Sequence, residues 1–70
     1  MYAVYYHDEM GNQIILLTFS SLKDAWLYGR KWRKSQPGMA DSEVFIEYTH
    51  GSSGAQLIGN LVQVALGFQS

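Results

Sequence analysis

The sequence predicts a small single-domain α+β fold, and three observations lead there. Aromatic and β-branched residues gather in three short runs, residues 2–7, 14–19 and 42–49, which is strand composition. Between the second and third runs, residues 21–36 repeat their apolar side chains at helical spacing and carry start and stop signals. Seventy residues are enough for one domain, so these elements must share one core.

The first run, "YAVYYH", places Tyr2, Val4 and Tyr6 on one face of a strand and Ala3, Tyr5 and His7 on the other. The acid-rich "DEMGNQ", residues 8–13, reads as a turn into a second strand, "IILLTF", completing a hairpin. Both faces of the first strand are largely apolar or aromatic. A sheet with one face in water shows a polar residue at every second position. The sequence therefore expects its outer sheet face to be covered by something.

Ser21 suits a helix N-cap, and Asp24 three residues on places a negative charge in the first turn. Leu22, Ala25, Trp26, Gly29 and Trp32 then fall on one helical face, and Pro37-Gly38 ends the element. Glycine costs about 1 kcal/mol against alanine inside a helix. Gly29, between two tryptophans, therefore implies a close approach of that turn to the sheet. In the third strand, residues 42–49, Val44, Ile46 and Tyr48 point one way and Glu43, Phe45 and Glu47 the other. "HGSSG" follows as a loop. The tail, residues 55–68, reads two ways. Gln56, Asn60, Gln63 and Gly67 mark the polar side of a helix, with Leu57, Ile58, Leu61, Val62 and Ala65 opposite. Gly59, Val62 and Val64 are weak helix formers, and residues 61–66 suit a strand. The helical pattern is the better supported.

All five basic residues lie on the predicted helix: Lys23, Arg30, Lys31, Arg33 and Lys34. Asp24 alone opposes them there, so the helix is strongly positive, while Asp8, Glu9, Asp41, Glu43 and Glu47 make the remainder negative. Such a helix can contact phosphates. It can equally be a solvated face whose last-turn bases complement the macrodipole. The pI of about 6.0 lies far below the values above roughly 9 typical of nucleic-acid-binding domains. Charged residues make up 16 per cent of the chain, against roughly 25 per cent in ordinary soluble domains, a second sign of a covered surface.

The sequence assigns no catalytic, metal or cofactor-binding residue. With no cysteine there is neither a disulfide nor a thiolate metal site. His7, Asp8 and Glu9 could act together only if the turn folded adjacent residues onto one point. The loop at His50 lacks the lysine and spacing of a phosphate loop, and no G-x-S-x-G is present. The N-terminus lacks the basic and apolar regions of a signal peptide, and no apolar run is long enough to span a bilayer. The expectation is a cytoplasmic protein.

The segment "TFSSLKDAWLYGRKW" is similar to the strand-to-helix step of HicB-type antitoxin domains, without their glycine- and proline-containing signature. No functional residue carries across. The order of hairpin, S-x-x-x-A-x-x-Y helix and acidic strand resembles small proteins encoded by phages and mobile elements. That resemblance implies a protein that binds and blocks a larger bacterial one, in the cytoplasm of the host cell. The sequence thus leads to a non-enzymatic protein-binding module that also self-associates. Its expected contact residues are Arg30, Lys31, Arg33 and Lys34 on the helix and Tyr5, Glu43, Phe45 and Glu47 on the outer sheet face. The alternative is a nucleic-acid-binding or antitoxin-like regulator using the basic helix, residues 21–36.

Overall fold

The structure, a computed structural model, describes residues 1–69. Strands β1 (Tyr2–His7) and β2 (Gln13–Phe19) form the expected hairpin, followed by helix α1 (Leu22–Lys34). Strands β3 (Val44–Thr49) and β4 (Ala55–Asn60) and helix α2 (Leu61–Phe68) complete the chain, with single 3-10 turns at Asp41–Glu43 and Gly51–Ser53. The strands pair antiparallel in the order β2-β1-β3-β4. The α+β class is as expected, with one strand more than the three predicted.

The hairpin turn is built on Asp8. Its carboxylate accepts the backbone N–H groups of Met10 and Asn12, each at 2.9 Å, and Gly11 supplies the left-handed residue at φ 84°. These donors, the Asn12 N–H first among them, hold the Asp8 carboxyl below the usual carboxylate range. Helix α1 begins as predicted, with the Ser21 hydroxyl accepting the Asp24 N–H. Ala25 and Gly29 are buried on its inner face. A Cβ on Gly29 would stand 2.9 Å from Leu61 Cδ2 and 3.4 Å from Val4 Cγ1. The close approach is therefore first to α2 and only second to the sheet. Trp26 makes the same junction from the side, its indole N–H donating to the Leu61 carbonyl at 2.9 Å.

The tail corrects both readings of residues 55–68. It is a strand and then a helix, with no loop between. Asn60 is the last residue of β4 and also the N-cap of α2. Its side chain accepts the Gln63 N–H at 2.9 Å, while the Gln63 side chain accepts the Asn60 N–H at 2.8 Å, a reciprocal capping box. Upstream of that box, pairing with β3 holds residues 55–60 as the edge strand of the sheet. Downstream of it, Leu61 and Val64 are buried one helical turn apart. A register shift on β4, opposite Ile46 and Glu47, accompanies Gly59 at φ 151°.

Val4, Val44 and Ile46 from the sheet meet Ala25 from α1 and Leu61 and Val64 from α2 in one core. Both helices thus lie on the same face of the sheet. Ring pairs border this core: Tyr6 with Trp32, Phe19 with Tyr28, and Trp26 with Phe68. Among the described residues the buried side chains are aliphatic, apart from Tyr5. The Cα trace measures 34 × 33 × 15 Å, a slab of two layers. No helix among the described residues is long and apolar enough to cross a membrane.

Candidate interaction surfaces

The outer face of the sheet carries the residues whose positions alternate with the core. On β1 these are Ala3, Tyr5 and His7, and on β3 Phe45, Glu47 and Thr49. Tyr5 is paired with Phe45, and Ala3 with Glu47. The Tyr5 and Phe45 rings stack at 5.5 Å and 20°. The His7 ring stands edge-on to both, at 5.5 and 5.7 Å. Crowding leaves Tyr5 only 7 % exposed although no helix covers it. That burial, with the Glu47 carboxylate as the second cause, raises the Tyr5 phenol above its ordinary pKa.

Aliphatic side chains surround this aromatic centre. Ile15 lies opposite Tyr5 on β2, and Leu57 lies opposite Glu47 on β4. They are 52 % and 58 % exposed. A bulge facing Val4 and Tyr5 lets Leu16 reach the core, while Leu17, paired with the inner-face Val4 and so outside this patch, stays about half exposed. Single exposed leucines are ordinary on protein surfaces, but a contiguous patch around stacked rings is not. Ile15 and Leu57 were not among the contact residues expected from the sequence. The uninterrupted "IILL" hid which residues point outward, because the bulge changes the alternation midway.

Tyr5, Phe45 and Glu47 share this face as expected, but Glu43 does not. The sequence placed Glu43 on the third strand beside Phe45. It belongs instead to the 3-10 turn Asp41–Glu43, where its carboxylate accepts the Ala40 N–H at 2.9 Å. That local cap satisfies an otherwise unpaired backbone donor and ends the strand two residues short of the predicted start.

The basic helix also differs from a free positive face. Arg33 Nε lies 2.6 Å from Asp41 Oδ1, and Arg30 Nε lies 3.7 Å from Asp41 Oδ2. These contacts are ionic and not aligned as hydrogen bonds. The Arg30 guanidinium also sits 5.2 Å from the centre of the Trp26 ring. Asp41, read from the sequence as part of the acidic remainder, thus clasps two of the five bases of its own chain. Lys23, Lys31 and Lys34 form no ion pair among the described residues. A shallow depression of about 250 Å³ lies among Trp26, Leu27, Arg30, Lys31 and Lys34.

A wider depression of about 600 Å³ opens beside the hairpin turn, among Tyr6, His7, Asp8, Met39 and Glu43. Two of its three carboxylates already have structural work, Asp8 in the turn and Glu43 at Ala40, and the third is Glu9. No group of three His, Cys, Asp or Glu side chains placed to hold a metal ion occurs among the described residues. Among the described residues no nucleophile, base and orienting group are assembled at one point. The chain matches no family model, no curated protein and no solved structure.

Proposed function

We propose that this chain is a non-enzymatic protein-binding module whose working surface is the outer face of its sheet. The observation that carries the reading is the one-sided cover: both helices pack on the Val4, Val44 and Ile46 face, while the opposite face presents stacked aromatics ringed by exposed aliphatics. Large apolar area around an aromatic centre is how binding surfaces obtain affinity. A small inhibitor of a bacterial host protein, the finer expectation from the sequence, is one form such a module takes.

The nucleic-acid alternative is weakened by the clasp at Asp41. It engages two arginines and leaves three lysines to contact phosphate. Trp26 and Trp32 pack against the core, and so are poorly placed to stack on bases.

The test compares surfaces in one capture experiment. Tagged wild-type chain is incubated with bacterial lysate beside two folded variants, Ile15→Asp/Leu57→Asp and Lys31→Glu/Lys34→Glu. Specific capture should disappear with the first variant and persist with the second. Capture lost only with the lysine variant would move the working surface to α1. A salt-sensitive shift of DNA or RNA by the wild type, abolished by the lysine variant, would establish the alternative.

A further inference from the structure

We infer that the occupant of the outer sheet face is a second copy of this chain, packed sheet to sheet across a two-fold axis through the Tyr5–Phe45 pair. The inference rests on the reading of that face as a protein-binding surface and adds the identity of the partner.

The geometry follows from the strand register. Tyr5 on β1 is paired with Phe45 on β3. His7 lies two residues beyond Tyr5. Glu47 lies two residues beyond Phe45, and because the strands are antiparallel it is displaced in the opposite direction, to lie opposite Ala3. At about 3.4 Å per residue, each stands roughly 7 Å from the Tyr5–Phe45 row, on opposite sides of it. A two-fold axis along that row, in the plane between two facing sheets, exchanges the two sides. It carries Glu47 of one copy to the level of His7 of the other, one strand spacing aside, and does so twice. It also holds the two Glu47 carboxylates roughly 14 Å apart along the strands. The only acid placed on this face by the strand alternation is thereby paired and not opposed to itself. An imidazole retains at least one N–H donor in either protonation state, so the pairing does not depend on His7 being charged.

Size and composition agree with this occupant. Four strands at about 4.8 Å and six residues at about 3.4 Å give each face roughly 400 Å² in plan. Two faces, with the relief of their side chains added, approach the roughly 1,200 Å² at which stable interfaces begin. The face is almost free of charge, as the centre of an interface is. Its flat aromatic centre matches a packing in which two inner faces fill about 10 Å between sheets. A domain of 70 residues without disulfides also gains from association the burial that its own core does not supply.

The experiment uses the whole chain. Sedimentation equilibrium at tens of micromolar should show a dimer. His7→Glu, which places two carboxylates together across the axis, should weaken dimerisation about tenfold or more, and Glu47→Lys, which takes away the acceptor facing the His7 N–H, should weaken it as well. The double variant His7→Glu/Glu47→Lys should recover most of that loss, which a residue needed only for folding would not do. A second measurement leaves the centre of the face intact. Ile15 lies on the Tyr5 row, and so near the axis, whereas Thr18 lies on the Ala3 row, away from it. The chain has no cysteine, so Ile15→Cys and Thr18→Cys each introduce a single thiol. A short bis-maleimide should join Ile15→Cys copies efficiently and Thr18→Cys copies poorly. A wild type that remains monomeric at 100 micromolar overturns the inference, as does a dimer indifferent to both charge variants or linked equally at the two cysteines. If the wild type is monomeric yet Ile15→Asp/Leu57→Asp still abolishes capture of another protein, this inference fails while the binding reading stands. If neither association nor capture depends on the face, both fail.

Discussion

The two faces of this sheet are built from similar residues and have different fates. On the inner face Val4, Val44 and Ile46 are fully buried beneath two helices. On the outer face Ala3 and Tyr5 are almost as inaccessible, yet their cover is only the neighbouring side chains of the same face, and Ile15 and Leu57 remain about half exposed. Burial at the centre of a crowded strand surface is therefore not the same as incorporation into a core. The inner face holds the fold together. The outer face retains apolar area that a partner can remove from water.

Substitutions separate these roles by size. The largest effect should follow Trp26→Ala. It removes an aromatic packed against the core and Phe68, and leaves the Leu61 carbonyl without the indole donor. Trp26 is half-buried, so a loss of about 3 kcal/mol, at the low end for such truncations, is expected from urea unfolding. A loss below about 1 kcal/mol would show that the α1–α2 junction is not part of the stabilising layer.

Gly29→Ala should have an intermediate effect. The helix gains about 1 kcal/mol in propensity, but the new methyl meets Leu61, itself buried, at 2.9 Å. Overpacking of about 1–3 kcal/mol outweighs the gain. A net loss of about 1 kcal/mol is expected, and a rise in melting temperature would contradict it. On the outer face, Leu57→Ser should change the stability of the dilute, monomeric protein by no more than about 0.5 kcal/mol. A large loss there would mean that the outer face already acts as core within one chain.

The smallest effect is a titration. Burial and the Glu47 carboxylate raise the Tyr5 phenol pKa in the folded state. A raised pKa favours the neutral phenol in the folded form. Its contribution is therefore complete below the unfolded value of about 10 and is lost as pH rises through the folded value. Phenolate absorbance should show one tyrosine titrating later than in the unfolded chain, and Tyr5→Phe should remove that component. A Tyr5 that ionises at the ordinary value would show that the outer centre is wetter than its packing suggests.

Much of the inner layer was legible in the sequence because its signals are local. Ser21, the Leu22–Trp32 spacing and Pro37 bounded α1 within two residues, and the alternation of Tyr2, Val4 and Tyr6 identified the inward side of β1. The outer face was anticipated as apolar, yet Ile15 and Leu57 were missed, since a bulge and a register shift break the simple alternation on both edge strands. The division of the tail at Asn60 was missed for another reason. Gln56, Asn60 and Gln63 mimic one polar helical side, although Asn60 and Gln63 alone form a capping pair that a closer reading of spacing can find. The Asp41 clasp had no local signal. It joins residues eight and eleven positions apart across a turn whose path depends on the fold.

Asn60 has a further consequence, for how the molecule opens. Helix α2 has eight residues, fewer than the roughly 12 to 15 at which an isolated helix becomes even marginal in water. It persists because its cap belongs to β4 and because Leu61 is held against α1. Detaching β4 removes the cap, and melting α2 releases the register of β4. Residues 55–68 should therefore exchange their amide hydrogens as one cooperative unit, with β4 and α2 sharing a single opening free energy. Native-state exchange that protects β4 while α2 exchanges freely would show the junction to be a flexible hinge and not a rigid coupling.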